Sequence, residues 1–210
     1  MSRLPNSTAA EPPYRGDAPA YYDRDADTFA ARYDAVQFAA VHPLLACYLP
    51  ESGRVLDVGA GSGRDARALA ARGFLVTAVE PCAGLRAIAS AKSPDIRWID
   101  DRLPRLESLR ADQGQFDFIL CSAVLMLIAP EALVPSFAAM ARLLTPSGRL
   151  GFNLRAPAAG EPGNLFFTHP DEAVLAAARA AGLVALDRGD ASDAIGRAAY
   201  RWRSFVFACE

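Results

Sequence analysis

A glycine-rich stretch that follows a short apolar run constrains the fold of this chain more than any other feature. Residues 54–65 read Arg-Val-Leu-Asp-Val-Gly-Ala-Gly-Ser-Gly-Arg-Asp, and an alanine-rich segment continues to Gly73. The pattern predicts a buried strand, a turn with bare backbone, and a helix N-terminus whose free N–H groups point outward. Because no side chains shield such a turn, a small polar ligand can approach the main chain closely there.

Segments with strand and helix character alternate along the rest of the chain. Strands are predicted over residues 75–79, 96–99, 116–120, 149–154, 184–187 and 202–209, and helices over 64–72, 82–92, 105–111, 131–144 and 171–181. A tight turn is predicted at Thr145–Gly148, between the fourth helix and the fifth strand. Apolar strands that alternate with helices predict an α/β fold with a mainly parallel sheet, covered on both faces.

The composition divides the chain into three parts. Residues 1–19 are rich in proline and small polar residues and are predicted to form a flexible tail. Residues 20–50 contain two short amphipathic segments with aromatic residues at helical spacing, and we interpret them as an N-terminal helical lid. Residues 51–210 form the main domain, and the aperiodic segment 155–169 is predicted to be a loop over a site.

The overall charge and the cysteine pattern exclude several classes of function. The net charge is −2 and the basic residues are scattered, which argues against nucleic acid as a partner. Four separated cysteines and two histidines make no metal-ligand spacing, so we predict no metal site. Because the sequence shows no secretory signal and no apolar run of about 20 residues, we expect a cytoplasmic protein without membrane contact.

Five motifs, in order, resemble those of the class I S-adenosylmethionine-dependent methyltransferases. The first is the glycine turn, whose G-x-G-x-G spacing differs from the G-x-G-x-x-G of dinucleotide-binding proteins. The others are Glu80, Asp100-Asp101-Arg-Leu-Pro104, Phe116-Asp117 and Leu143-Leu144-x-Pro146-x-Gly148. The resemblance covers residues 55–154. It implies a Rossmann-like three-layer sandwich with a mainly parallel seven-stranded sheet whose last strand is antiparallel.

The resemblance also implies a site for S-adenosylmethionine beyond the carboxyl ends of the strands. Glu80 is placed to accept hydrogen bonds from both ribose hydroxyls, and Asp57 to hold the turn or the cofactor ammonium. Either Asp100 or Asp101 accepts from the adenine amino group. The implied cofactor-binding set is Asp57, Gly59, Ala60, Gly61, Gly63, Glu80, Pro81, Asp100, Asp101, Arg102, Leu103, Cys121 and Ser122.

No catalytic acid or base is assigned, because methyl transfer from a sulfonium depends mainly on alignment and on exclusion of water. Many relatives carry a histidine after the fourth strand, whereas this chain has Leu127, which favours an apolar acceptor pocket. His42 is interpreted as a surface or capping histidine. His169 is interpreted as a residue at the start of a helix, with a position overhanging the site as the alternative.

The candidates for contact with the methyl acceptor come from the lid and from the ends of the later strands. They are Tyr21, Tyr22, Tyr33, Met126 and Arg155. The tyrosines either form a lid over cofactor and acceptor or only pack a helix against the domain. Arg155 either binds an anionic acceptor or is a solvated surface residue.

We therefore predict a methyltransferase that acts on a small molecule, releases S-adenosylhomocysteine, and is a monomer or a homodimer. One alternative is a non-catalytic relative that retains the cofactor site as a sensor or for a partner protein. The other is a nucleotide-dependent oxidoreductase that binds NAD, against which the spacing of the glycines argues.

Overall fold

The computed structural model describes residues 17–110 and 115–210, and a seven-stranded sheet forms its middle layer. The strands are β1 Arg54–Val58, β2 Leu75–Val79, β3 Arg97–Ile99, β4 Phe116–Ser122, β5 Leu144–Arg155, β6 Leu183–Ser192 and β7 Arg201–Cys209. Their order across the sheet is β3-β2-β1-β4-β5-β7-β6. β1 to β5 are parallel, and β7 pairs antiparallel with both β5 and β6. The predicted fold class is confirmed.

Helices cover the sheet and precede it in the chain. They are α1 Ala18–Asp23, α2 Ala26–Asp34, α3 Phe38–Val41, α4 Arg64–Ala70, α5 Ala83–Lys92, α6 Leu133–Ala141 and α7 Asp171–Ala180. Helix α1 begins inside the stretch 1–19 that was predicted to be a tail, and residues 1–16 of that stretch lie outside the described residues. Pro19 lies in the first turn of α1, where its missing N–H removes no helical hydrogen bond.

The helix predicted over residues 105–111 is not present in its described part, residues 105–110, which form turns instead. The guanidinium of Arg142 donates to the carbonyl oxygens of Arg105, Leu106 and Leu109 at 2.7–2.9 Å. Those carbonyls therefore accept from a side chain at the end of α6, and the carbonyl of Leu106 accepts in addition from the N–H of Leu109. Residues 105–110, which lie between β3 and β4 in the chain, are thus bound by Arg142.

The tight turn predicted at Thr145–Gly148 is instead an irregularity within β5. Phe116 of β4 lies opposite Leu144, whereas Phe118 lies opposite Arg149. The four residues 145–148 of β5 therefore correspond to the one residue of β4 between Phe116 and Phe118. A β-carbon on Gly148 would lie 2.8 Å from the carbonyl oxygen of Phe116, which explains glycine at this close approach. The preceding helix is also shorter than predicted and ends at Ala141.

Aromatic side chains hold the antiparallel strand β7 against β5. Phe152 stacks on Phe205 and Phe207, with ring centroids 5.2 Å and 5.6 Å apart, and Phe137 of α6 packs on the same group. All four rings are buried. Because the ring pairs lie across β5 and β7, they join the last strand to the parallel part of the sheet.

Replacing Phe152 by alanine is expected to lower the free energy of unfolding by about 3–5 kcal/mol, because it removes a buried ring and leaves a cavity. Leu75→Ala is the matched control, since Leu75 lies on β2 with 72% of its surface exposed. The control is expected to change stability by less than about 0.5 kcal/mol. Urea denaturation measures both values. Equal losses in the two variants would contradict the role of the aromatic group.

Candidate functional site

A cleft of about 640 Å³ lies beyond the carboxyl ends of β1, β2, β4 and β5. Its walls include these residues from the sequence prediction: Tyr22, Tyr33, Gly59, Ala60, Gly61, Glu80, Pro81, Asp101, Arg102, Leu103, Ser122, Met126 and Arg155. Five others that were predicted do not line it, namely Tyr21, Asp57, Gly63, Asp100 and Cys121. The topology thus gathers residues from distant parts of the sequence at one edge of the sheet.

The glycine turn is fixed to β2 and leaves its backbone bare toward the cleft. The N–H groups of Gly59 and Ala60 both donate to the carbonyl of Val79, at 2.8 Å and 2.9 Å. Gly59 and Gly61 have φ values of 70° and 56°, in the left-handed region that favours glycine. A β-carbon on Gly59 would collide with the side chain of Val124, so no side chain fits at that position.

Glu80, at the end of β2, is buried and joins the glycine turn to the start of α5. Its Oε2 accepts from the N–H of Gly61 at 2.7 Å, and its Oε1 accepts from the N–H of Cys82 at 2.8 Å. Burial raises the pKa of Glu80 to about 7, against which these two hydrogen bonds act. The carboxylate is therefore held in one orientation and retains free lone pairs, since each oxygen has about two.

Asp57 lies on β1, two residues before the turn, and is almost fully buried. Its carboxylate accepts from the N–H of Ala66 and so caps α4. Its Oδ2 has no hydrogen-bond partner among the described residues. Burial and the nearby carboxylate of Asp65 raise the pKa of Asp57 well above its usual value.

A buried chain of hydrogen bonds connects the N-terminal region to the floor of the cleft. The N–H of Ala123 donates to Oδ1 of Asn153 at 2.9 Å, which identifies the other amide atom as Nδ2, a donor. Nδ2 contacts Nδ1 of His42 at 3.2 Å, so Nδ1 accepts and the proton lies on Nε2. Nε2 then donates to Oδ2 of Asp65 at 2.9 Å, and Arg64 also pairs with that carboxylate.

The interpretation of His42 as a surface or capping residue is therefore wrong, because its side chain is fully buried. The sequence analysis also missed Arg64 and Asp65, which both line the cleft. Their position directly after the third glycine of the turn was the one available signal. Although burial opposes it, the interactions with His42 and Arg64 hold the pKa of Asp65 well below its usual value.

The two aspartates after β3 differ in position. Asp100 does not line the cleft; it pairs with Arg86 at 2.9 Å, with 67% of its side chain exposed. Asp101 lines the cleft, and its carboxylate accepts from the N–H groups of Arg102 and Ser108 at 2.7 Å and 2.6 Å. Only Asp101 of this pair thus belongs to the cleft wall.

Two aspartates anchor the N-terminal helices to the elements around the glycine turn. Asp23, at the end of α1, accepts from the N–H of Gly84 at 2.6 Å at the start of α5. Asp34, at the end of α2, accepts from the hydroxyl of Ser62 and pairs with Arg67 and Lys92. These hydrogen bonds and ion pairs therefore attach the helices interpreted as a lid to the glycine turn, α4 and α5.

The tyrosines of this region divide into two groups. Tyr22 and Tyr33 line the cleft and share a hydrogen bond between their side chains, whereas Tyr21 packs edge-on against Phe166 at 6.0 Å. Burial raises the pKa of Tyr33 to about 12 and that of Tyr22 well above its usual value. Both hydroxyls therefore stay protonated and neutral at physiological pH.

Arg155 is 5% exposed, so its interpretation as a solvated surface arginine is wrong. Its NH1 and NH2 atoms donate to the two carboxylate oxygens of Glu161 at 2.8 Å and 2.5 Å, and its guanidinium lies 4.1 Å from the ring centroid of Tyr200. The fork that would bind an anion is thus already occupied by Glu161. Nε of Arg155 has no partner among the described residues.

His169 is also buried and does not line the cleft. Its Nε2 lies 3.0 Å from the carbonyl oxygens of both Leu125 and Ile128, so this nitrogen carries the proton and donates. The side chain therefore holds the segment after β4 in place. This is the segment that contains Leu127 where many relatives have a histidine.

Neither a metal centre nor a membrane span is found in the described ranges. Within residues 17–110 and 115–210, no three His, Cys, Asp or Glu side chains are grouped so that they could hold a metal ion. No helix in these ranges is both long and apolar enough to cross a membrane.

Comparison with known proteins finds both a matching family and similar individual proteins. Residues 55–148 match the family described as a methyltransferase domain. A ubiquinone biosynthesis O-methyltransferase of Xanthomonas axonopodis pv. citri is 36% identical over 115 residues, which is 52% of this chain and 47% of that protein. The chain spans about half the length of the curated relatives that it matches.

Solved structures share the fold over nearly the whole chain. A 1,6-didemethyltoxoflavin-N1-methyltransferase of Burkholderia thailandensis, with 1,6-didemethyltoxoflavin and S-adenosylhomocysteine bound, has a TM-score of 0.64 and 21% identity, covering 95% of this chain and 92% of its own. The [4+2]-cyclase SpnF has a TM-score of 0.70 and 16% identity, covering 93% and 96%.

The family match and the motif order agree with the sheet topology. The match extends from β1 into β5 and contains the glycine turn and Glu80. The remaining strands complete the seven-stranded sheet with β7 antiparallel. Over residues 55–148 this chain is therefore similar to methyltransferase domains, and it shares its fold with solved structures of S-adenosylmethionine-dependent methyltransferases.

Proposed function

We propose that this protein transfers a methyl group from S-adenosylmethionine to a small molecule and releases S-adenosylhomocysteine. The observation that carries the proposal is the buried carboxylate of Glu80, which is held beside the bare backbone of Gly61 at the wall of the cleft. A fixed carboxylate next to an open glycine turn suits a ligand that has vicinal hydroxyls and polar groups for the main chain.

The residues around the turn fit the other parts of this cofactor. Asp57, two residues before the turn, is buried and does not line the cleft, so it suits the role of holding the turn. Asp101, at the cleft wall, is the better placed of the two aspartates to receive the adenine amino group. When bound, the cofactor supplies an activated methyl group. The protein's own contribution is to orient both reactants and to exclude water.

A small-molecule acceptor is supported by the names of two similar proteins, a ubiquinone biosynthesis O-methyltransferase and a 1,6-didemethyltoxoflavin-N1-methyltransferase. The acidic overall charge adds support, because it offers no surface suited to nucleic acid. The volume of the cleft, about 640 Å³, lies within the range of small-molecule sites in proteins.

A non-catalytic or differently catalytic protein is the second candidate, and one comparison favours keeping it. SpnF is named a [4+2]-cyclase although its fold matches this chain with a TM-score of 0.70. The fold by itself therefore does not imply methyl transfer. Such a protein would bind S-adenosylmethionine without producing S-adenosylhomocysteine when it is offered a panel of acceptors.

Calorimetry with S-adenosylmethionine and S-adenosylhomocysteine tests the cofactor site. Glu80→Ala is expected to weaken binding by about 2–3 kcal/mol, roughly 30- to 150-fold in Kd, because hydrogen bonds to a charged group are lost. Glu107→Ala is the matched control, because Glu107 forms an exposed pair with Arg105. No binding by the wild-type protein at high micromolar concentration would contradict the proposal.

The affinity for S-adenosylhomocysteine is expected to rise with pH and to level off above pH 7. The pKa of Glu80 is raised to about 7 by burial, and the ionised form is the one that accepts two ribose hydroxyls. Below this pKa a proton must leave before the ligand binds, so Kd at pH 6 should be about tenfold higher than at pH 8.

Glu80→Gln provides the control for this pH dependence, because glutamine keeps the shape of the side chain but does not titrate. The ligand's own amino group titrates equally in both proteins. The difference between the two pH profiles therefore isolates Glu80. Parallel profiles for wild type and Glu80→Gln would show that ionisation of Glu80 does not control binding.

A further inference from the structure

We propose that the methyl acceptor is an uncharged, largely apolar molecule whose reacting atom carries a free lone pair at neutral pH. This inference rests on the proposed function and concerns one half of the same cleft. We call this half the acceptor side. It is the wall formed by residues 126–129, 164–165, 167, 192–195 and 197 with Tyr22, Tyr33, Arg155 and Trp202, beyond β4 and β5.

The surface of the acceptor side is mainly apolar. Its aliphatic and aromatic side chains include Met126, Leu127, Ile128, Leu165, Phe167 and Ile195. Tyr22 and Tyr33 add two hydroxyls that are neutral and already joined by a hydrogen bond. Such a wall favours burial of apolar surface and penalises a ligand charge that finds no partner.

Arg155 is a cation of the acceptor side, and its charge is neutralised within the protein. Both terminal nitrogens donate to Glu161, and the guanidinium is enclosed by the rings of Tyr200, Phe166 and Trp202 at 4.1–5.8 Å. To reach the two terminal nitrogens, an anionic acceptor would have to displace Glu161 from a largely buried, bidentate pair. Breaking such a pair is costly, because it leaves a charge buried without compensation.

Arg197 and Asp193 neutralise each other in the same way. Asp193 accepts from the N–H, Nε and NH2 groups of Arg197 at 2.7–3.0 Å, and from Nε1 of Trp202 at 2.8 Å. Among the described residues, Arg155, Arg197 and Asp193 are the charged groups of the acceptor side, and each is paired. A cationic acceptor therefore finds no available carboxylate there.

The same pairing leaves the described residues of the acceptor side without an available base. Although burial opposes it, the hydrogen bonds from Arg197 and Trp202 hold the pKa of Asp193 well below its usual range, so this carboxylate is a weak base. The nitrogens of His42 and His169 that make hydrogen bonds contact Asn153, Asp65 or main-chain carbonyls, and neither histidine lines the cleft.

The nucleophile must therefore enter with its lone pair available. The acceptor's lone pair forms the new bond to the methyl carbon while the carbon–sulfur bond breaks, and both electrons of that bond remain on sulfur. The positive charge passes from sulfur to the acceptor, and no proton has to leave before the transfer. An aromatic ring nitrogen or a thioether sulfur meets this requirement, whereas a neutral phenol does not.

Binding of a matched set of two-ring probes to the protein loaded with S-adenosylhomocysteine tests the charge preference. Isoquinoline is uncharged, and derivatives with a carboxylate or an aminomethyl group carry one charge of either sign. We expect isoquinoline to bind at least about tenfold more tightly than either charged derivative, since the latter bury an unpaired charge. NMR titration measures all three Kd values.

Two variants sharpen this test. Glu161→Gln removes the negative partner of Arg155. The affinity of the carboxylate probe, relative to that of isoquinoline, should therefore rise about tenfold. Glu107→Gln removes a carboxylate from an exposed pair outside the acceptor side and should leave the ratio unchanged. If the ratio of the two Kd values, carboxylate probe to isoquinoline, is the same in wild type and in Glu161→Gln, Glu161 does not neutralise Arg155.

Methyl transfer at pH 7.5 tests the requirement for a free lone pair. We expect N-methylisoquinolinium to form faster than the methyl ether of 2-naphthol, an uncharged probe of the same size that must lose a proton. Equal or faster transfer to 2-naphthol, or transfer to neither probe, would overturn this part of the inference.

The charge preference is overturned if a charged probe binds as tightly as isoquinoline, or if isoquinoline does not bind at millimolar concentration.

These outcomes separate the inference from the function on which it rests. Binding of S-adenosylhomocysteine is measured first, and its absence would overturn the proposed function together with the inference. If the nucleoside binds and a charged acceptor is preferred, the inference fails alone. Detection of S-adenosylhomocysteine release with isoquinoline as acceptor supports both.

Discussion

The attachment of the glycine turn to β2 is the constraint on which the rest of the site depends. Two consecutive N–H groups, from Gly59 and Ala60, donate to the one carbonyl of Val79. This fixes the turn beside the end of β2, so that the next residue, Glu80, meets the N–H of Gly61. The cofactor side of the cleft is therefore built by main-chain geometry, and side chains only complete it.

The local part of this arrangement was predictable from the sequence. The glycine turn follows an apolar run and precedes an alanine-rich segment, and these patterns act over a few residues. Glu80 followed from its position at the end of the next apolar run. The contrast between Asp100 and Asp101 was not predictable, because it depends on which carboxylate Arg86 reaches across the structure.

The parts that sequence reasoning missed are contacts between distant residues. His42 and Asn153 are 111 positions apart in the chain, and no local pattern indicates that they meet. Arg155 was identified, but its partner Glu161 lies in a segment without periodicity, so the pairing was invisible. Arg142 likewise prevented the predicted helix at 105–110 through bonds to carbonyls more than thirty residues away.

The contact between Gly59 and Val124 has a consequence for how this protein can diversify. Val124 fills the space where a side chain at position 59 would lie, so the turn and the segment after β4 share one packing contact. Segments 164–167 and 192–197 make no such contact with the turn's glycines. New acceptor preferences are therefore most accessible through those two segments, whereas a change near Val124 alters both halves of the cleft together.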